Sequence, residues 1–199
     1  MTKLERLGKE GFYYETGSGE VCATDKKCMV WTYDGAKTGK EVRKGESTGY
    51  IEHRRKVLEG LSFPWRFDCL AVFDFIKRMK MSKAESRSTT DNGGVVLYYD
   101  GDGTAFYSEG FSFHGEHVPE VSGRFEEVRT GTGTSFVVPA WYLKEFPPVG
   151  GLRYGDKAIE YETQYKGLSY SVVIMLITGE YAQHYERVLQ WHRGLKDAS

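Results

Sequence analysis

The chain has few cysteines, few prolines and no long apolar run. Its 199 residues include 3 cysteines and 5 prolines. Small secreted domains that depend on disulfides usually carry more cysteine, so we expect reduced thiols and a cytoplasmic protein. The first ten residues lack the apolar core of a secretory signal, which agrees with that expectation. Since no apolar run approaches about 18 residues, we predict no membrane-spanning helix.

The net charge is only -1. The charged residues are nevertheless unevenly distributed along the chain. Residues 1–90 contain 18 basic and 13 acidic side chains, whereas residues 91–199 contain 9 basic and 15 acidic ones. Such a split can draw a polyanion to one end of the chain or favour head-to-tail contact between copies. The simpler interpretation is that both halves mix within one globule, where their fields cancel.

Aromatic residues and glycine are abundant. The chain contains 14 Tyr, 11 Phe, 4 Trp and 24 Gly. An aromatic share of 15% argues against disorder, and the glycines indicate many turns. The length suits one domain at about 100–200 residues per domain. We therefore predict a single domain over residues 1–199, with a mild internal boundary at the polar loop 82–94.

The hydrophobic pattern predicts an α+β fold that is predominantly antiparallel β-sheet, either a curved open sheet or a barrel. Residues 158–165 alternate between apolar and polar, as a half-buried strand does. One mid-chain helix is predicted at about 64–81, where Val72, Phe73 and Ile76 follow helical spacing behind Ser62 as a possible N-cap. A C-terminal helix is predicted at about 180–195.

Residues 95–104 contain the sequence VVLYYDGDGT. It resembles the nucleophile loop of haloacid-dehalogenase-type phosphotransferases, and the resemblance implies Asp100 as nucleophile and Asp102 as acid/base. That family begins its sheet with this loop and continues into a helix, whereas here the loop lies in mid-chain and a strand-like segment follows. We therefore predict a hairpin turn at 100–103 instead of a phosphotransferase site.

Metal and catalytic candidates are weak. Five residues separate Cys22 from Cys28, which is wider than the usual spacing of zinc ligands, and His114 and His117 would point to opposite faces of a straight strand. We predict no metal and no cofactor. The best acid–base pair is His114 with Glu116, because a neighbouring carboxylate can tune an imidazole near neutral pH.

A basic stretch in the first half is the candidate for nucleic-acid binding. Its basic residues are Lys37, Lys40, Arg43, Lys44, Arg54, Arg55 and Lys56. With a sequence pI of 6.5 and no recognition motif, the stretch is more typical of a solvated charged ribbon than of a nucleic-acid site.

Three functions follow as hypotheses. The favoured one is a non-enzymatic β-rich binding module that holds a small apolar or aromatic ligand in an aromatic pocket. The predicted lining residues are Trp31, Tyr98, Phe106, Phe113, Tyr161 and Tyr165. The alternative is a structural or assembly subunit that self-associates through exposed aromatics and oppositely charged halves. The third is an enzyme of unknown class that uses His114 and Glu116.

Overall fold

A computed structural model gives the fold. It describes residues 3–7, 12–15, 21–25, 27–32, 56–78, 96–101, 103–114, 118–127 and 131–179, together with positions 182, 183, 185–187, 190 and 194. The chain divides into two compact units, each built from two separate segments. Unit 1 is Met1–Pro64 with Glu145–Met175, and unit 2 is Trp65–Lys144 with Leu176–Ser199.

The elements follow one another as strands with short helices between them. The helices are α1 (Lys3–Leu7), α2 (Leu70–Arg78) and α3 (Ala140–Glu145). The strands are β1 (Phe12–Glu15), β2 (Val21–Thr24), β3 (Cys28–Thr32), β4 (Trp65–Phe67), β5 (Val96–Tyr99), β6 (Thr104–His114), β7 (Val118–Glu127), β8 (Gly131–Thr132), β9 (Phe136–Pro139), β10 (Leu152–Tyr154), β11 (Ala158–Tyr165) and β12 (Leu168–Met175). Residues 56–59 are also helical.

The strands of unit 1 pair in the order β1-β2-β3-β12-β11-β10, and every neighbouring pair is antiparallel. The register sets Val30 beside Val172 and Val172 beside Tyr161. Residues paired across antiparallel strands point to the same face, so these three define one face of the sheet. All three are buried. We call this face the closed face of unit 1.

The opposite face of the same sheet is covered over part of its area by residues 56–63. Leu58 is buried there against Met29 and Val173. The backbone of this covering segment lies very close to the sheet at one point. An added Cβ on Gly155 would meet the carbonyl oxygen of Ser62 at less than contact distance and the Ser62 carbonyl carbon at 3.2 Å.

Unit 2 contains a second antiparallel sheet in the order β7-β6-β5-β9 and the two-stranded pair of β4 with β8. Four buried aromatic rings join these elements to α2. Phe67 lies 5.7 Å from Phe73, 5.1 Å from Tyr99 and 5.6 Å from Phe136 between ring centroids. The edge-on and tilted arrangements are those that aromatic quadrupoles favour.

The α+β class with mostly antiparallel sheet is confirmed, as is the hairpin at 100–103. Tyr99 pairs with Ala105 across that turn, and the chain continues as a strand rather than a helix. The described positions between 182 and 194 are helical, as predicted. Among the described residues the strands pair in open orders, and a barrel is not confirmed. The curvature of the sheets stays a prediction.

The predicted helix at 64–81 begins too early. Residues Trp65–Phe67 form β4, and the helix is Leu70–Arg78. Residues 65–67 are extended because β4 pairs with β8, and Phe67 packs there in the buried aromatic cluster. The buried stripe of Val72, Phe73 and Ile76 is confirmed.

The two units do not show the imbalance of basic and acidic residues that the two halves of the sequence show. Unit 1 contains 15 basic and 14 acidic residues, and unit 2 contains 12 basic and 14 acidic ones. Each unit is therefore close to neutral, because both units combine early and late segments. Residues 82–94, the predicted internal boundary, lie outside the described residues, and the single-domain organisation stays a prediction.

The helices in the described part of the chain are all too short or too polar to cross a bilayer.

Gly101 is required by the hairpin turn at 100–103, and replacing it should destabilise the protein. Its φ is +86°, and a Cβ would lie 2.5 Å from the carbonyl oxygen of Gly133. We expect Gly101→Ala to lower the free energy of unfolding by about 1–3 kcal/mol, measured by urea denaturation. A free energy of unfolding equal to that of the wild type would contradict this account of the turn.

Gly155 tests the close approach of the covering segment to the sheet. We expect Gly155→Ala to lower the free energy of unfolding by about 1–3 kcal/mol, because the new methyl group would push the Ser62 backbone away. Gly150→Ala is the matched control, since a Cβ there meets nothing within 4 Å. Equal denaturation midpoints for the two variants would show that the approach is not restrictive.

Candidate binding site

The structure distributes the six predicted aromatic residues over both units. Tyr98 is buried in unit 2 within a small cluster of Val96, Val137 and Tyr185. Phe106 pairs with Tyr98 in register, and Phe113 lies near the end of the same strand, β6. Burial raises the pKa of the Tyr185 hydroxyl to about 12, so this phenol stays neutral at physiological pH. Tyr98 and Tyr185 therefore belong to the core of unit 2.

The three aromatic residues of unit 1 lie on two faces of its sheet. Tyr161 is buried on the closed face, and Tyr165 on the same strand is half-buried. The Lys166 ammonium lies 5.5 Å above the Tyr165 ring centroid. Trp31 pairs with Ser171, one position away from the Val30–Val172 pair, and therefore points to the opposite face. A pocket shared by all six residues stays a prediction.

Trp31 belongs to an apolar cluster on this opposite face. The cluster has a buried centre and a half-buried rim, and we call it the Trp31 cluster. Its centre consists of Cys22, Met29, Leu58, Ala158 and Val173, and its rim of Trp31, Leu61, Phe63 and Met175. Apolar rims of this kind, with aromatic and methionine side chains within reach of solvent, are where ligands and partners commonly bind.

A small cavity of about 10 Å³ lies beside the Trp31 cluster. It is lined by Thr24, Lys27, Cys28, Met29, Leu58, Val173 and Met175. This volume is close to what one water molecule needs and far below the several hundred Å³ of pockets for drug-sized ligands. A small organic ligand would therefore have to lie over the rim of the cluster or displace side chains.

The turn between β2 and β3 positions the polar end of this cavity. A carboxylate oxygen of Asp25 accepts hydrogen bonds from the backbone N–H groups of Lys27 and Cys28, at 3.0 and 2.8 Å. Burial, with the nearby Asp25 and Cys22, raises the pKa of the Cys28 thiol well above its ordinary value. Because the thiolate is the reactive form, Cys28 is not an activated nucleophile at neutral pH.

The predicted catalytic pair is only partly described. His114 ends β6, and Glu116 lies outside the described residues, as does His117. Within the described ranges, no three His, Cys, Asp or Glu side chains come together as a metal ion would require. Catalysis by His114 and Glu116 therefore stays a prediction. The absence of a metal site also stays a prediction.

The basic stretch falls almost wholly outside the described residues. Lys56 is described, and it is exposed. Nucleic-acid binding through Lys37, Lys40, Arg43, Lys44, Arg54, Arg55 and Lys56 therefore also stays a prediction.

Sequence reasoning missed the segment that covers the Trp31 cluster. Leu58, Leu61 and Phe63 supply its apolar contacts, and the spacing of Leu58 and Leu61 is helical. Two leucines are too short a pattern to predict a helix, and they directly follow the residues that were interpreted as a charged ribbon. Met29 and Met175 were also missed, because they come from strands far apart in the sequence and meet only through the pairing of β3 with β12.

Comparisons with known proteins show a likeness in fold. No protein-family model and no curated protein matches the chain. Among solved structures, the Helicobacter pylori β clamp in complex with 5-chloroisatin matches with a TM-score of 0.53 at 14% identity. That match covers 89% of this chain and 62% of the clamp chain.

A second H. pylori β clamp structure, in complex with carprofen, matches with a TM-score of 0.51 at 14% identity. It covers 84% of this chain and 58% of the clamp chain. The chain thus spans about three-fifths of the length of the clamps that it matches. At these identities the likeness concerns the fold alone: this protein has a β-clamp-like α+β fold.

Proposed function

We propose that this chain is a non-enzymatic binding module that holds a small apolar or aromatic ligand, or an apolar side chain of a partner protein, on a β-clamp-like scaffold. The observation that supports this function is the fold likeness over 89% of the chain to a clamp whose structure contains 5-chloroisatin. The second clamp structure contains carprofen. Both compounds are small aromatic molecules, the ligand class that the composition of this chain also favours.

The Trp31 cluster is the proposed binding site. The indole ring of Trp31 offers a large apolar surface, and the unbranched thioether of Met175 can adapt to different ligand shapes. Leu61 and Phe63 supply apolar surface from the covering segment. A ligand that covers this rim gains about 25 cal/mol for each Å² of apolar surface removed from water.

Polar groups beside the rim would orient such a ligand. Ser171 pairs with Trp31 across the strands and is half-buried, while Glu162 and Gln164 on the next strand are exposed. Small-molecule sites usually combine an apolar surface with a few polar groups. The cavity beside the cluster is too small for an aromatic ring, so the ligand would lie on the rim.

Thermal melting with the two clamp ligands tests this site. We expect 5-chloroisatin or carprofen to raise the melting temperature, since a ligand at ~100 times its Kd adds about 2.7 kcal/mol of stability. Trp31→Leu should abolish the rise. Trp65→Leu is the matched control, because Trp65 is also half-buried but belongs to unit 2, and it should keep the rise.

Two results would contradict the proposed site. One is the absence of any rise in the wild type with either compound. The other is an equal rise in the wild type and in Trp31→Leu, which would place binding elsewhere on the molecule.

Self-association is the second candidate function, and Leu70 is the exposed apolar residue through which it can be tested. Leu70, the first residue of α2, is 62% exposed, which is high for a large apolar side chain. Exposed apolar residues of this size are typical of contact surfaces when they form part of a patch. Because each unit is nearly neutral, a contact between copies would depend on apolar surface more than on opposite net charges.

Light scattering coupled to size exclusion tests self-association. If copies associate through α2, Leu70→Ser should shift the molar mass from dimer towards monomer. Val149→Ser is the matched control, since Val149 is 57% exposed but lies in unit 1, and it should leave the molar mass unchanged. A wild-type protein that is monomeric at high concentration would exclude this candidate.

A further inference from the structure

A row of side chains crosses the strands of unit 1 on the same face as the Trp31 cluster. Strand pairing sets Trp31 of β3 beside Ser171 of β12, and Ser171 beside Glu162 of β11. Paired residues point to the same face, so the three side chains form one row. Val173, two residues further along β12, is buried, whereas Ser171 is half-buried and Glu162 is exposed. The row therefore lies where the sheet becomes accessible to solvent.

Val149 extends this row by one position. Pro148 pairs with Thr163 of β11 in an antiparallel bridge. The next N–H along the chain, that of Val149, donates a hydrogen bond of 2.9 Å to the carbonyl oxygen of Glu162. The alternation of side chains places Val149 on the face of Glu162, where it is 57% exposed. We call the row the cross-strand strip, and it consists of Trp31, Ser171, Glu162 and Val149.

The strip carries a negative charge between two apolar side chains. Glu160 lies on the same face as Glu162, but its carboxylate forms an ion pair with Arg153. Across the part of the chain that the structure describes, the Glu162 carboxylate forms neither an ion pair nor a hydrogen bond. Trp31 and Val149 lie at the two ends. The complement of this surface is a positive charge flanked by two apolar groups.

The length of the strip fits an extended peptide that crosses the strands. Neighbouring strands lie about 4.8 Å apart, so Glu162, Ser171 and Trp31 lie about 5, 10 and 14 Å from the Val149 end. Side chains on one face of an extended peptide recur about every 6.6 Å, so three of them span about 13 Å. The outer two would contact the apolar ends of the strip, and the middle one would lie between Glu162 and Ser171.

Arginine is the side chain that best fits the middle position. Its guanidinium can pair with a carboxylate and stack on an aromatic face, and it is more weakly hydrated than the ammonium of lysine. Ser171 has a small side chain and separates Glu162 from Trp31 in the row. It therefore leaves space above the sheet for a guanidinium between the carboxylate and the indole ring.

We propose that the cross-strand strip binds an extended segment of a partner protein with the pattern apolar–x–Arg–x–apolar, where x is any residue. The arginine contacts Glu162 and Trp31, and the flanking apolar side chains contact Trp31 and Val149. This inference rests on the proposed function, since both use Trp31, and it specifies the chemistry of the partner.

Peptide titration followed by NMR tests the strip. The probe is the acetylated and amidated peptide Leu-Ser-Arg-Ser-Leu, and the indole N–H signal of Trp31, assigned by its loss in Trp31→Leu, reports binding. Citrulline in place of arginine keeps the shape and removes the charge, so it should weaken binding by about 2–5-fold, as for an exposed ion pair. Glycine in place of both leucines should also weaken binding, because the apolar contacts are lost.

A variant of the protein tests whether the arginine contacts Glu162. Glu162→Gln should weaken binding of the arginine peptide by the same 2–5-fold and leave binding of the citrulline peptide unchanged, because both changes remove one interaction. Glu186→Gln is the matched control, since Glu186 is also exposed but belongs to unit 2. It should bind both peptides as the wild type does.

Four results would overturn the proposal. The arginine and citrulline peptides could bind the wild type equally, or Glu162→Gln could still distinguish them. Equal binding of the glycine-flanked peptide would assign the strip to any cation, and a wild-type dimer that Glu162→Gln dissociates would assign it to a second copy. None of these results depends on the thermal shift with carprofen, which tests the proposed function separately.

Discussion

The register between β3, β12 and β11 is the constraint on which the rest of unit 1 depends. Val30, Val172 and Tyr161 lie side by side and are all buried. A shift of one residue would turn this whole row towards the less covered face and bring Trp31 into the core, so the difference in burial between the two faces specifies the register. The same register fixes Trp31 and Met29 on the opposite face. The packing of the closed face therefore also determines which residues form the candidate binding site on the opposite face.

Unit 2 depends on aromatic packing instead. Phe67, Phe73, Tyr99 and Phe136 come from β4, α2, β5 and β9, so one group of rings joins four elements. Ring centroids 5.1–5.7 Å apart allow tilted and edge-on contacts, which add to the apolar area that each ring buries. Aliphatic residues on a sheet face hold unit 1, whereas unit 2 is held by a cluster of rings. Long-range charge contributes little to either unit, because each is nearly neutral.

Local patterns predicted the elements whose environment is simple. The alternation in 158–165 matches burial closely: Ile159, Tyr161 and Thr163 are buried, while Glu162 and Gln164 are exposed. The start of α2 was misplaced because β4 pairs with β8, more than sixty residues further along the chain, and no local signal reports that pairing. The Trp31 cluster and the small cavity beside it were missed for the same reason. Their members come from 22–63 and from 158–175, and periodicity rules report only on residues that are near neighbours in sequence.

The composition of each unit from two distant segments has a consequence for protein synthesis. β3 ends at Thr32, but its partner β12 begins at Leu168. At about 5–20 residues per second, the ribosome makes β3 roughly 7–27 s before β12. During that interval β1, β2 and β3 exist as a small ribbon with one unpaired apolar edge, which is marginally stable alone and open to pairing with other chains. The nascent chain is therefore open to aggregation through β3 until β12 has emerged from the ribosome and can pair with it.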